Sequence, residues 1–236
     1  MQILRDISYK YFKRNPKKGN MNTKELRDMK KTLKLSNFQR EIIVGTILGD
    51  GHMETNNGIT YRLKIEHSIK QKEYTDWLYQ GLESWVLKEP CEKKKAVFGK
   101  VFTNVWFNTV SHVALRYYGK VFYRDKVKTI PINIAKLLTP ISLAVWFMDD
   151  GSIKSKFHKT LLINTQSFPK NKLEFLQKAI SQKFQINSYL RKQKEGFQIE
   201  FRGQDAINFA KTIEPYLISS MKYKIDPIGL TKLPKL

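Results

Sequence analysis

The sequence predicts an α+β protein made by internal duplication, in which the order helix, two strands, helix, two strands, helix is run through twice. Three observations carry this. An apolar run ending in acid occurs in each half, as Ile43-Val44-Gly45-Thr46-Ile47-Leu48-Gly49-Asp50-Gly51 and as Leu143-Ala144-Val145-Trp146-Phe147-Met148-Asp149-Asp150-Gly151. After each run the hydrophobic spacing changes from helical to alternating. The segments that follow come in the same order both times.

Residues 1–35 form a basic extension, with Lys10, Lys13, Arg14, Lys17 and Lys18 close together and Pro16 and Gly19 interrupting any helix. An arm on phosphates, a targeting segment and a solvated leader all remain open there. The apolar region of a secretory signal is missing. A short helix is expected over 24–34.

The first acid-ending run is a helix that Ser36 caps, with Gln39 completing a capping box. Gly51 suits the left-handed residue that closes a helix. Residues 61–68 then alternate, with Tyr61, Leu63, Ile65 and His67 on one side and Arg62, Lys64, Glu66 and Ser68 on the other, the pattern of a half-wet strand. The stretch 54–58 before it suits a turn. A helix over 71–87 carries Tyr74, Trp77, Leu78, Leu82, Trp85 and Val86 as its stripe and stops at Pro90. A hairpin over 96–108 carries Phe98, Phe102, Trp106 and Phe107, and a helix over 110–119 follows.

In the second half Thr139 caps the helix and Pro140 takes its first position. This helix is apolar nearly all round, which calls for burial on every side. Gly151 plays the closing part of Gly51. A strand is expected over 160–167, a helix over 170–183, a hairpin of 186–192 with 197–202 around Glu195-Gly196, in which Ile199 and Phe201 face one way and Gln198, Glu200 and Arg202 the other, and a helix over 204–217. The organisation is an extension 1–35, a first repeat 36–125, a linker 126–138 and a second repeat 139–236.

The helix ends break a rule. A carboxylate at a helix C-terminus faces the negative end of the macrodipole, at a cost of about 0.3–1 kcal/mol. Two such ends side by side add like-charge repulsion, and the unpaired carbonyls add more negative potential. A divalent cation resolves all three. Gly45 and Gly49, four apart, leave a smooth stripe on which a second backbone can lie, so the two helices suit packing on each other.

Composition narrows the partners. The 236 residues hold 43 Lys+Arg against 21 Asp+Glu, a net +22. Such a charge opposes compaction unless an anionic partner offsets it. Nucleic acid is the first candidate and an anionic membrane the second; no apolar run reaches the roughly 18 residues of a membrane span, so a spanning role is out and no membrane partner is expected. Apolar residues at 41% and aromatics at 12% suffice for a core. Cys91 is the only cysteine, which excludes an internal disulfide and a thiolate zinc site. His52, His67, His112 and His158 form no cluster in the sequence, and no Gly-rich phosphate loop occurs.

At the two acid-ending runs the chain resembles the LAGLIDADG homing endonuclease family in its single-chain, two-motif form. The second copy and its surroundings, Thr139 to Gly151 and then Leu162-Ile163-Asn164-Thr165-Gln166-Ser167-Phe168, resemble the yeast mitochondrial intron-encoded group. The resemblance spans about residues 36–226. The first copy departs further, at Gly45 and Thr46, but keeps its acid. The resemblance implies two antiparallel sheets forming a DNA-binding saddle around the central helix pair.

It also implies a site. Asp50 and Asp150 match the family's metal-binding acids, each serving one strand, with the carbonyls of Gly49 and Asp149 as supporting ligands. Mg²⁺ is the implied ion, since it takes oxygen donors and keeps several waters; Mn²⁺ is expected to substitute and Ca²⁺ to support binding without cutting. Lys128 and Lys224, at the ends of their repeats, match the active-site lysines, with Lys126 and Lys222 as neighbours. For base reading the polar strand positions are Arg62, Lys64, Glu66, Asn164, Gln166, Arg191, Gln193, Gln198 and Arg202, because Arg pairs with guanine and Gln or Asn with adenine. Lys93, Lys94, Lys95, Lys154, Lys156 and Lys159 suit phosphates.

The function implied is a monomeric, site-specific endonuclease that cuts a long asymmetric duplex and spreads its intron. An intron RNA maturase and a catalytically inactive DNA-binding protein are the alternatives on the same scaffold. An organelle, mitochondrion or plastid, and the bacterial cytoplasm are all compatible.

Overall fold

The computed structural model describes residues 24–154 and 159–226. The basic segment ahead of Lys24, together with Lys156 and His158, lies outside the described residues. These fall into two compact units, one holding residues up to Arg40 and His52–Tyr117, the other holding Glu41–Gly51 and the chain from Tyr118.

In the first unit, helix α1 (Lys24–Thr32) precedes helix α2 (Asn37–Leu48), which begins here and ends in the second unit. The capping box at its start is formed: Gln39 N–H donates to Ser36 Oγ (3.2 Å) and Ser36 N–H to Gln39 Oε1 (3.1 Å). Gln39 also accepts from Trp85 Nε1 (3.2 Å) and donates to Ser84 Oγ (3.0 Å), so the cap is anchored in the core. Strands β1 (His52–Glu54), β2 (Arg62–Ser68), β3 (Cys91–Val97) and β4 (Lys100–Asn108) make an antiparallel sheet of order β1-β2-β4-β3. Leu63, Ile65 and His67 are buried, as the alternation requires, and meet Val105 and Phe107 of β4 on the same face. Helix α3 (Lys72–Leu82) buries Tyr74, Leu78 and Leu82. Helix α4 (Arg116–Val121) follows a 3-10 turn over Val113–Leu115 and from Tyr118 belongs to the second unit.

In the second unit, strands β5 (Tyr123–Arg124) and β6 (Val127–Lys128) form a small ribbon, and helix α5 (Ile134–Leu137) leads to helix α6 (Pro140–Asp150). Thr139 and Ser142 form the capping box of α6, and every residue from Ser142 to Met148 is buried. Strands β7 (Gly151–Ile153), β8 (Thr160–Ile163), β9 (Tyr189–Gln193) and β10 (Gly196–Arg202) make a sheet of order β7-β8-β10-β9, the same order as in the first unit. Helix α7 (Lys170–Phe184) lies between the strand pairs in sequence, and helix α8 (Gly203–Ile213) closes the repeat. Phe209 of α8 stacks on Phe201 (4.1 Å between centroids) and meets Phe147 edge-on (5.7 Å). The architecture is therefore α+β, with two four-stranded antiparallel sheets and one helix-strand order used twice. Among the described residues no helix is long and apolar enough to cross a membrane.

Four expectations change. Gly51 and Gly151 do not close their helices in the left-handed region: Gly151 is extended (φ −77°, ψ 146°), and Gly51 has no positive φ. Gly151 is required for room instead, because a Cβ there would overlap Phe147. The strand expected over 160–167 stops at Ile163. All four residues of β8 are buried, so it has no wet face, and Asn164 N–H turns to the carbonyl of Asp150 (3.0 Å) while Thr165 Oγ1 donates to Phe197 O (2.8 Å). Asn164 thus lies just past the strand, and Gln166 sits in the turn that follows. The first hairpin begins earlier, at Cys91, so Lys93, Lys94 and Lys95 are strand residues. Finally, Glu200 is buried, although it alternates with polar neighbours; Lys154 and Arg202 cover it.

Candidate active site

Residues 41–51 and helix α6 belong to one unit, and they touch along their small residues. A Cβ on Gly45 would come 2.5 Å from Val145 Cβ and 2.6 Å from Ser142 O, and one on Gly49 would overlap the carboxylate of Asp149. The glycine stripe is therefore what lets the two backbones meet. Thr46, fully buried on this segment, is satisfied by donating to Ile42 O (2.9 Å) and lies near Ile43 O (3.1 Å).

The close approach brings the acids together. Asp149 Oδ2 accepts the backbone N–H of Asp50 (3.1 Å), and carboxylate oxygens of Asp50 and Asp149 lie within 4.8 Å of each other. Asp50 is exposed, while Asp149 and Asp150 are half-buried. Asp150 is held from behind, its carbonyl accepting from Asn164 N–H. Burial, and then the Asp50 and Asp149 carboxylates, push the Asp150 carboxyl up to about 8, against the opposing pull of Lys128 and Lys224.

Two lysines face these ends. Lys128 Nζ, on β6, donates to Gly49 O (2.6 Å). Lys224 Nζ, in the 3-10 turn Ser219–Lys224, donates to Met148 O (2.5 Å) and lies 3.4 Å from Phe147 O. Burial lowers the pKa of both ammonium groups, and Asp149, Asp150 and Asp50 raise it in partial compensation. Lys126 sits in the β5–β6 turn at φ 64°, and Lys222 pairs loosely with Glu214 (3.8 Å), so neither takes these carbonyls.

The two ends are not equivalent. Lys128 holds the carbonyl one residue before its acid, and Lys224 holds the carbonyl two residues before. Asp149 contributes a side-chain carboxylate at a position where the first copy has Gly49. Sequence reasoning used only the Asp149 carbonyl. The signal was available: in the paired runs a residue without a side chain faces one with a carboxylate.

The donor set fits a hard divalent cation. The carboxylates of Asp50, Asp149 and Asp150 are hard oxygen donors, and burial together with their mutual charge already raises the proton affinity of Asp150.

The strand candidates divide into two sets. In the first unit Arg62 is paired with Glu54 (2.7 Å), and Lys64 with Glu66 (3.0 Å). Asn104 Nδ2 donates to Glu66 (2.9 Å), and that bond with the one from Lys64 holds the Glu66 carboxyl below the usual range. Glu54 and Asn104 were not singled out from the sequence. In the second unit Arg191 lies opposite Gln198, and Gln193 opposite Gly196. Gln198 Nε2 donates to Asn164 Oδ1 (2.7 Å), which ties Asn164 to β10 from its position just past β8. Arg202 donates to Glu200 (2.5 Å) and stacks over Tyr189 (4.6 Å to the ring centroid). Gln166 borders a shallow recess with Ser167, Gln193, Lys194 and Glu195.

Comparison with known proteins gives a consistent picture. The model of the LAGLIDADG DNA endonuclease family matches residues 40–209. A probable intron-encoded endonuclease 1 of Wickerhamomyces canadensis is 32% identical over 213 residues, which cover 86% of this chain and 91% of that protein. DNA endonuclease I-ChuI of Chlamydomonas applanata is 27% identical over 211 residues, 82% of this chain and 97% of its own. The homing endonuclease I-WcaI, solved bound to its DNA recognition sequence, superposes with a TM-score of 0.85 at 27% identity, covering 94% of this chain and 97% of its own.

Proposed function

The chain belongs to the LAGLIDADG DNA endonuclease family, and on that premise we propose that it is a site-specific homing endonuclease that cuts both strands of a long, asymmetric duplex with Mg²⁺ and so spreads its intron. It acts as a monomer, because one chain carries both acid-ending runs. Mn²⁺ substitutes, and Ca²⁺ supports binding without cutting. The observation that carries this reading is the juxtaposition of Asp50, Asp149 and Asp150 with the half-buried Lys128 and the buried Lys224, whose ammonium groups sit on the carbonyls of Gly49 and Met148.

Asp50 and Asp150 would hold the cations, one for each strand, with the Asp149 carboxylate beside them. When bound, such a cation supplies positive charge at the scissile phosphate and acidifies water. Asp149 fixes the backbone at Asp50 through its N–H. Lys128 and Lys224 bring positive charge that the helix carbonyls hold in place, ready for the phosphate oxygens as charge builds on them. The low-dielectric surroundings of Lys224, which is buried, strengthen that interaction.

Specificity comes from the sheets. Arg62, Lys64 and Glu66 in one unit, and Asn164, Gln166, Arg191, Gln193, Gln198 and Arg202 in the other, meet base edges or position the groups that do. Ion pairs such as Arg62–Glu54 hold the side chains in place before DNA arrives, which lowers the entropy lost on binding.

The test is Asp150→Asn with duplex DNA carrying the selected site. Cutting in Mg²⁺ is lost, while affinity measured in Ca²⁺ stays within a few-fold of the parent. A variant that cuts at the parental rate would rule out this metal site.

A further inference from the structure

The hairpin of β3 and β4 outruns its sheet. Strand β2 pairs with β4 from Asn108 only as far as Asn104. Strands β3 and β4 continue pairing to Val97 and Lys100. The last four pairs therefore form a two-stranded ribbon about 13 Å long at roughly 3.3 Å per residue. Lys94, Lys95 and Lys100 line it, with Lys93 at its base. The register puts Lys95 and Phe102 on the face that also carries Lys93, Asn104, Trp106 and Glu66.

The tip runs against local preference twice. Phe98 and Gly99 are the two loop residues, at φ 48° and φ 73°. A two-residue turn with both φ values positive favours Asn-Gly, and a bulky side chain there is strained. The Phe98 ring is also fully exposed (101%), beside Val101 (67%) and Phe102 (50%). Neither folding nor solubility accounts for a strained aromatic residue in water, so its partner is external.

We propose that this tip is a base-reading element that enters the major groove and packs Phe98 against thymine methyl groups. The inference rests on the DNA-cleavage reading above. A two-stranded ribbon fits the major groove, and the lysines along it match the flanking phosphates. In that groove the thymine C5-methyl is the one apolar group on display, so it is the chemical complement of an apolar tip.

The test replaces each thymine of the selected site, one at a time, with uracil, which lacks only the methyl. Binding is measured in Ca²⁺ for the parent and for Phe98→Asn. At one or two adjacent positions the parent loses about fourfold in affinity, the worth of one buried methyl, and Phe98→Asn is indifferent there. Its melting temperature is not lower than the parent's, because Asn-Gly suits the turn. A parent indifferent to every replacement, or a variant that loses as much as the parent at the same positions, would overturn the proposal. A parent that binds no duplex at all would instead remove the DNA reading on which it rests.

Discussion

The carboxylate of Asp149 accepts the backbone N–H of Asp50 at 3.1 Å, in the space that a side chain on Gly49 would fill. The two acid-ending runs are thus complementary at this point rather than identical: one gives up its side chain so that the other can reach across. Gly49→Ala forces the carboxylate aside and is expected to destabilise the protein by about 1–3 kcal/mol, the range for overpacking. Adding Asp149→Gly removes the Asp149 Cβ as well as its carboxylate, both of which a side chain on Gly49 would strike, so the double variant should lose clearly less than the sum of the two single losses. Denaturant unfolding of the four proteins measures the coupling, and additive losses would contradict the contact.

Asp150 makes stability depend on pH. Its folded-state pKa, about 8, lies above the ordinary carboxyl value of 3.8, so between those values the folded protein binds the proton more tightly than the unfolded chain. In a metal chelator, this group's contribution to stability therefore falls as pH rises from about 4 to about 8 and is lowest above that. Asp150→Asn removes the dependence, and its melting temperature above pH 8 should exceed the parent's. A parent whose stability in chelator is flat across that window would contradict the raised pKa.

Much of this was legible in the sequence, and the limits have physical causes. The caps at Ser36 and Thr139 and the alternation of Tyr61 to His67 are local, and the structure follows them. The end of β8 at Ile163 was not legible, because a strand buried on both faces has no alternation to show where it stops. Glu200 reads as an outward residue, but Lys154 and Arg202 bury it, and neither cover can be seen from strand period. At the site the acids stood out because they break a helix-end rule. Lys128 and Lys224 came from the family resemblance, since in a chain with 43 Lys+Arg no local pattern separates them from the rest. The Asp149 side chain needed the packed helix pair to reveal its partner.

Lys224 is buried with its ammonium on two helix carbonyls. Lys224→Met keeps much of the volume and removes the charge. Cleavage should slow by about a hundredfold or more, the scale of losing one preorganised electrostatic group, with a much smaller change in DNA affinity. Single-turnover cleavage alongside binding in Ca²⁺ separates the two. Equal losses in both would reduce Lys224 to a phosphate contact.

The net charge of +22 predicts steep salt dependence. With six to ten phosphate contacts, affinity should drop about 10³- to 10⁵-fold between 50 and 200 mM salt. Fluorescence anisotropy across that range gives the slope, and a flat response would contradict a nucleic-acid partner.

The most direct measurement of the central claim is cleavage of a randomised duplex library by the full chain, in Mg²⁺ and separately in Ca²⁺, followed by sequencing of the cut ends. One enriched, asymmetric site of many base pairs is expected, cut on both strands in Mg²⁺ and bound uncut in Ca²⁺. Binding without cutting in both ions would contradict the assignment of Asp50, Asp150 and the two lysines to phosphodiester cleavage.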